Sequence, residues 1–454
     1  MKNTRDNHLE SMFRAAVERV DPYRMARERV RVSGDGLTIA GDGAPLTVDL
    51  REFDRVVVIG AGKASAPMAR AVGEAFGERI TESLVVVKYG HTDEARGPFS
   101  HVRIVEAAHP VPDEAGAAAA RDMLRIAESC DERTLVLVLV SGGGSALLAS
   151  PAAGLSLEDK KETTRLLLSC GADIKEINCV RKHLSSVKGG RLAAALAPAR
   201  VVSLILSDVV GDRLDSIASG PCAPDLMSWA DAKAAVDKYA LYERLPASVR
   251  KALDAGIAGS VPDTPKPGDP VFDRVTNVLL GTNYSAMMAA EAEARRLGYR
   301  TLALSSMISG EAREIAKFYA GIALDQKKRN VLGQGPLVVM AGGETTVTIR
   351  GGGKGGRNQE MALAFLVELS RVDQADAEGI RFLASSTDGN DGPTDAAGAF
   401  ASLELLEAAR AKGLLMEAAL ADNDSYAFFD AIDGLLRSGP TNTNVCDIQF
   451  VLVE

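Results

Sequence analysis

The sequence predicts an α/β protein built on a doubly wound, Rossmann-like parallel sheet, with a second α/β domain after it. Three observations predict this. Aliphatic runs such as Thr134-Leu-Val-Leu-Val-Leu-Val140 and Arg55-Val-Val-Val-Ile59 lack polar alternation, as expected of strands covered on both faces. The runs alternate with helix-patterned segments, which is the rhythm of βαβ units. The rhythm breaks once, at Ser260-Val-Pro-Asp-Thr-Pro-Lys-Pro-Gly-Asp-Pro270, and then resumes. Four prolines and a glycine in that run read as a linker. The chain therefore divides into an N-terminal domain over 1–258, a linker over 259–272 and a C-terminal domain over 273–454.

Taken in order, an Arg- and Glu-rich helix covers 9–30, and 34–43 is turn-rich, a small hairpin or loop. The first strand runs into Gly60-Ala-Gly-Lys-Ala-Ser65 and a helix to Phe76. Strands over 84–88 and 102–106 follow, the latter leading through His109-Pro-Val-Pro112 to a helix ending at Ser129. The fourth strand, 134–140, stops at Ser141-Gly-Gly-Gly-Ser145. Ser156, with Glu158 and Asp159 after it, signals a capped helix to Ser169. The fifth strand, 201–206, closes on Ser207-Asp208. Helices near 229–241 and 247–257 precede the linker. The second domain reads as strands over 275–280, 300–304, 336–340, 345–349, 381–386 and 447–453. Helices over 283–297, 310–325, 357–370 and 401–411 separate them.

Composition narrows the function classes. A net charge of −9 over 454 residues offers no footprint for nucleic acid or an anionic membrane. The five cysteines are odd in number, scattered and without a C-x-x-C pair, which argues against a disulfide framework or zinc site. The five histidines show no H-E-x-x-H spacing. The first residues carry no apolar leader, and no apolar run is long enough to span a bilayer. The expectation is a cytoplasmic protein without nucleic-acid or membrane partners, compatible with a homodimer.

The motifs point to anions. Ser141, Gly142, Gly143, Gly144 and Ser145 join a strand to a helix start, where backbone N–H groups and the helix dipole favour negative charge. A tight βα turn is the plainer reading. Gly60 and Gly62 open a similar turn with Lys63. It is not a Walker A loop, and as a dinucleotide fingerprint it ends in Ser65. The next strand ends Lys88-Tyr-Gly90, without the acid that would hold a ribose. Lys63 beside a helix start suits a phosphate or a carboxylate. Arg181, Lys182, Lys188 and Arg191 form a local excess of positive charge, with a solvated helix face as the competing reading. His183 stands alone and reads as structural. Asp208 lies at the carboxyl end of a strand, where α/β folds place ligands. It suits a proton acceptor, a Mg²⁺ ligand or a turn cap. In the second domain, Gly342-Gly-Glu344-Thr precedes Gly351-Gly-Gly-Lys-Gly-Gly-Arg-Asn-Gln-Glu360. Lys354 and Arg357 at that helix mouth add charge to a second glycine cradle, and Asn358 follows. Asp388 and Asp391, with Asp395, supply oxygens for a hard cation, though not at EF-hand spacing. Two cradles, two cations and an Asp cluster across two domains suit phosphoryl transfer, which rests on positioning and charge neutralisation.

The same residues resemble a known family. Gly60-Ala-Gly-Lys-Ala-Ser, His109-Pro-Val-Pro-Asp-Glu, Ser141-Gly-Gly-Gly-Ser-Ala-Leu, Arg181-Lys-His-Leu-Ser and Lys188-Gly-Gly-Arg-Leu-Ala are similar to motifs of the bacterial and archaeal class II glycerate kinases. So are Ser207-Asp-Val, Ala218-Ser-Gly-Pro, Gly342-Gly-Glu-Thr, Gly355-Gly-Arg-Asn-Gln-Glu and Thr387-Asp-Gly-Asn-Asp-Gly-Pro-Thr-Asp. The C-terminal part resembles the MOFRL domain. The resemblance implies phosphorylation of D-glycerate at its 2-hydroxyl by ATP and Mg²⁺, in an interdomain cleft. It implies Lys63 and Arg357 as the active-site pair. The mechanism expected around that pair takes Asp208 as proton acceptor and Asp388 or Asp391 as Mg²⁺ ligand. The chain departs from the family at Val210, where proline is common, and at Asn442, where glycine is. Two other classes compete: an NAD(P)-dependent hydroxypyruvate reductase, and a non-catalytic sensor of a small phosphorylated ligand.

Overall fold

The computed structural model describes residues 4–92 and 97–454, so the N-terminal stretch read for a leader begins outside the described residues. The chain forms two compact units. One comprises Pro22–Ser207 with Asp212–Leu280; the other comprises residues up to Asp21, Asp208–Gly211 and Gly281–Glu454.

The first unit holds a six-stranded sheet. Its strands are β1 (Arg55–Ala61), β2 (Ile80–Lys88), β3 (Ile104–Ala107), β4 (Thr134–Val140), β5 (Arg200–Leu206) and β6 (Val275–Gly281). They lie in the order β3-β2-β1-β4-β5-β6. Neighbours among β1 to β5 are parallel, with Gly60 opposite Leu139 and Ala61 opposite Val140. All seven residues of β4 are buried, as an unalternating aliphatic strand requires. The order turns back on itself between β1 and β4. At such a switch point the connections leave in opposite directions and open a crevice at the strands' carboxyl ends. Both N-terminal glycine turns sit there. Helices α1 (Ser65–Phe76), α2 (Glu114–Glu128) and α3 (Ile174–His183) belong to this unit.

Three sequence expectations change here. The 9–30 helix is two helices, Thr4–Arg19 and Pro22–Arg29, because Pro22 cannot continue the first and instead starts the second. The turn-rich segment after them is a three-stranded antiparallel sheet over Val30–Ser33, Gly36–Ile39 and Leu46–Asp49. The proline-rich run is held to the first unit at residues 262–266 and lies inside that unit rather than linking two domains. Pro262 O accepts from Trp229 Nε1 (3.2 Å), Pro265 O accepts from Asp225 N (2.9 Å), and Asp263 Oδ1 meets His183 Nε2 (2.8 Å). Proline removes a donor but leaves a carbonyl, so the composition that marks linkers also suits an extended strap. The strand after it, β6, joins the first sheet instead of opening the second.

The second unit carries a mixed sheet. Its strands are β7 (Arg300–Ala303), β8 (Ile308–Glu311), β9 (Leu337–Thr346), β10 (Ile380–Ser386), β11 (Gly398–Ser402), β12 (Leu435–Leu436) and β13 (Asp447–Val453). The order is β7-β9-β13-β10-β11-β12, with β8 also on β9. β9 runs parallel to β7 and β8; the remaining neighbours are antiparallel. β9 replaces the two short strands expected over 336–349. The glycines at its centre extend it, since a Cβ on Gly343 (φ +146°) would fall 2.1 Å from Ile308 O. Helices α4 (Asn283–Arg296), α5 (Ala312–Arg329) and α6 (Arg357–Ser370) cover it. Phe365 of α6 stacks on Phe382 of β10, their centroids 4.4 Å apart. The N-terminal helix packs on α4 and buries Leu9, Met12, Phe13 and Ala16.

Candidate active site

At the switch point the two glycine turns are bonded to each other. Lys63 N donates to Gly142 O (2.8 Å), and Ser141 Oγ accepts from Ala64 N (3.1 Å). Gly62 leaves room for that hydroxyl, which would lie 2.0 Å from a Cβ. Gly60 likewise clears Leu139 O by lacking a Cβ. Gly143 takes φ +83°, and a Cβ there would touch the His109 ring and Lys63 Cγ at 3.0–3.2 Å. His109, Lys63 and the glycine loop therefore share one small volume. Ser145 Oγ meets Ser219 Oγ at 2.8 Å. The helix expected after the loop is only Gly144–Leu147, too short to supply a useful macrodipole. What the loop offers is the N–H groups of Gly142 and Gly143, which donate to no acceptor among the described residues.

The positive segment after it separates into different duties. Lys182 Nζ is buried between Asp225 (3.0 Å) and Asp215 (3.3 Å). Arg191 Nη1 donates to Lys182 O and Ser185 O at 2.9 Å, closing the end of α3. Lys188 Nζ donates to Ser145 O (2.6 Å) and Leu148 O (3.2 Å). All three thus have structural partners, and Lys182 and Lys188 are buried besides; helical and buried-polar positions look alike in sequence without tertiary partners. Arg181 differs. It is half-buried, burial lowers its pKa, and it makes no hydrogen bond or ion pair among the described residues. His183 is structural as expected, its ring 4.8 Å from that of Trp229.

Sequence reasoning missed His109 and Lys160. Lys160 Nζ donates to Ser150 O (3.3 Å), and burial pushes its ammonium down to about 7. His109 is pushed down to about 4 by burial, then by Lys63, Lys88, His91 and Arg181 around it. No carboxylate among the described residues pairs with Lys63, Lys88 or Arg181. Adjacent unpaired cations raise one another's energy, and an anion relieves this. We therefore expect the His109 imidazole to stay neutral from pH 8 down to about 5. A bound anion should raise its midpoint. The ring-proton chemical shift against pH, with and without inorganic phosphate, measures both; a midpoint at the ordinary histidine value would contradict it.

In the second unit Arg357 is the first residue of α6, and carboxylates hold it. Its Nε and Nη2 donate to Asp447 Oδ2 (2.5 Å) and Oδ1 (2.9 Å), and its Nη1 donates to Glu344 Oε1 (2.7 Å). Glu344 comes from β9 and Asp447 opens β13, one register step apart. Asp447 is fully buried; burial pushes its carboxyl up to about 7, with Arg357 opposing. The ion pairs outweigh burial at Arg357 and raise its pKa. Asp208 is grouped with this unit, its carbonyl accepting from Cys446 Sγ (3.2 Å) beside Asp447. No sequence cue singled out Asp447, which reads as the start of a strand.

The first half of the second glycine run has its N–H groups taken by protein: Gly351 N donates to Asn423 Oδ1, Gly352 N to Asp422 Oδ1, Gly353 N to Asp422 O and Lys354 N to Asp424 Oδ1, whereas Gly355 N and Gly356 N donate to no acceptor among the described residues. Gly351 and Gly353 are there because Asp422 and Asp424 lie too close for side chains. Lys354 Nζ rests on the Tyr426 ring, 4.6 Å from its centroid. Asp391, expected on a metal, caps α6. Its Oδ1 accepts from Asn358 N and Nδ2 (3.1 Å each), and its Oδ2 accepts from Gln359 N (2.8 Å). Asn358 is thereby a partner of that cap. A Gly356→Ala Cβ would sit 2.2 Å from Asp391 Cγ and 2.4 Å from its backbone. It should lower stability by about 1–3 kcal/mol, measured by urea denaturation; an unchanged midpoint would show the cap to be dispensable. Asp388 remains a candidate ligand: Oδ1 accepts from Ser386 Oγ and Asn390 N (2.9 Å each), and Oδ2 has no partner among the described residues. Among the described residues no group of three His, Cys, Asp or Glu side chains forms a ready metal site, and no helix is long and apolar enough to cross a membrane.

The family described as a domain of unknown function, DUF4147, matches residues 8–254, and the MOFRL family matches 337–447. Glycerate 2-kinase of Pyrococcus horikoshii is 40% identical over 442 residues, covering 96% of this chain and 95% of that protein. A putative hydroxypyruvate reductase of Agrobacterium vitis is 42% identical over 405 residues, covering 89% of this chain and 88% of its own. The crystal structure of glycerate kinase from Thermotoga maritima superposes with a TM-score of 0.86 at 36% identity, covering 99% of this chain and 100% of that one. With both family regions matched, in chain order and over nearly its full length, the chain belongs to the glycerate kinase family.

Proposed function

We propose that the protein catalyses the ATP-dependent phosphorylation of D-glycerate at its 2-hydroxyl, giving 2-phosphoglycerate and ADP. The observation that carries the reading is the uncompensated positive charge of Lys63 and Arg181 at the switch point of a doubly wound sheet. Both substrates are anionic, and a net-negative chain would repel them elsewhere. In this reading Gly142 and Gly143 donate N–H groups to an anionic oxygen, and Arg181 takes a second one. Lys63 and Arg357 offset charge on the transferring phosphoryl group. Asp208 accepts the 2-hydroxyl proton as the oxygen bonds to phosphorus and the bond to ADP breaks. Mg²⁺ typically uses one or two protein carboxylates plus phosphates. The unpartnered Oδ2 of Asp388 fits that requirement, and the ion would supply neutralisation of phosphate charge there.

The test is turnover by the purified chain with ATP, Mg²⁺ and D-glycerate, beside a parallel reaction with NADH and hydroxypyruvate. ADP and 2-phosphoglycerate in the first alone support the kinase. NADH oxidation in the second alone would replace it with the reductase, and silence in both would leave a ligand sensor. Lys88 at the end of β2, where a ribose-binding acid would stand, disfavours the reductase.

A further inference from the structure

We propose that Asp447 is a positioning residue for the reaction, fixing the guanidinium of Arg357 so that one face of its fork points at the transferring group. The proposal rests on the reading of Arg357 given above. Three of the guanidinium's N–H groups are taken by Asp447 and Glu344, leaving one on each Nη. Both carboxylate oxygens of Asp447 bond Arg357, which fixes the plane of the fork as well as its place. A single point contact would leave the plane free to swing.

Asp447 is itself held by backbone rather than by chance of rotamer. Gly343 and Ser386 lie opposite it on the two strands that flank β13. Asn283, at the start of α4, donates its Nδ2 to Asp447 O (2.8 Å) and Val445 O (2.7 Å). Gly342 makes that possible, since a Cβ there would lie 1.8 Å from Asn283 Oδ1. Asp447 has no exposed side-chain surface, against 45% exposure for Glu344. The two carboxylates thus differ in duty. Glu344 is reachable by solvent and by a ligand, whereas Asp447 touches only protein and acts through Arg357. A buried carboxylate is costly to keep. Holding a guanidinium in one plane at a helix start is the service that the contacts of Asp447 describe.

Initial rates with ATP, Mg²⁺ and D-glycerate, and thermal midpoints, are measured for the full chain, D447N, R357K, R357A and R357A/D447N. In D447N the side chain keeps its shape, and kcat should fall about 10²-fold, as for a misplaced catalytic group, with KM for glycerate within about twofold. R357K keeps the charge but loses the fork, and should fall comparably. In the R357A background D447N should add less than about twofold, because the residues act as one unit. Full kcat in R357K, or multiplying effects in the double variant, overturns the positioning role. A D447N that only lowers the thermal midpoint overturns it as well. Should D447N not fold, R357K decides alone. Normal turnover in R357A would instead bring down the reading of Arg357 on which the proposal stands.

Discussion

Lys63→Ala should lower kcat by about 10²–10³-fold, the cost of removing one charge-stabilising group from a reacting centre, while leaving the fold intact. The separation of the two effects follows from its surroundings. Lys63 makes no ion pair among the described residues, and its contribution to the fold is a backbone bond that alanine retains. Stability should move by no more than about 0.5 kcal/mol, as at an ordinary surface position. Arg357→Ala should lose turnover comparably but differ in stability, because it strands the buried Asp447. A carboxyl whose folded pKa lies above its unfolded value costs stability as pH rises between the two. With Arg357 gone, the Asp447 carboxyl should rise beyond its present value of about 7. The variant should therefore follow the pH dependence of the unaltered chain up to about pH 7 and fall increasingly below it as pH rises further. Urea midpoints across that range, beside turnover, test both halves. Near-normal rates in either variant would sink the catalytic assignment, and a pH-independent stability loss in Arg357→Ala would sink the account of Asp447.

Asp225→Ala should be the most destabilising single change in the parallel-sheet unit that leaves every residue of the switch point in place. Asp225 is fully buried and joins three parts of the chain. It accepts from Lys182 Nζ (3.0 Å), Thr264 Oγ1 (3.1 Å) and Met227 N (3.2 Å). Removing one partner of a buried pair leaves an uncompensated charge and costs about 3–5 kcal/mol. Lys182 keeps Asp215 at 3.3 Å, which places the expected loss near the lower end. The urea midpoint should fall with an unchanged slope; a loss below about 1 kcal/mol would mean that the network is not a joint of the fold.

Much of the fold was legible because its signals are local. Unalternating strands, glycine turns and the cap at Ser156 follow from residue spacing, and helix α6 begins and ends at the residues its pattern marks. What was not legible depended on partners far along the chain. Gly351 to Gly353 look like a cradle until Asp422 and Asn423 are seen to occupy their N–H groups. Lys182, Lys188 and Arg191 look like Arg181 in sequence, and only the acceptors beside them tell the four apart. Asp391 carries the composition of a metal ligand and the geometry of a cap. Asp447 carried no signal, because a carboxylate at the start of a strand is ordinary until a guanidinium faces it.

The chain order of the two units has a consequence for synthesis. The helix Thr4–Arg19 is synthesised before the parallel-sheet unit, yet its partner α4 begins at Asn283, after that whole unit. At roughly 5–20 residues per second, that interval lasts some tens of seconds. During it Leu9, Met12 and Phe13 lack the helix against which they pack, while the parallel-sheet unit is still being synthesised. A holdase should therefore be found on the Thr4–Arg19 segment of the nascent chain rather than on its sheet.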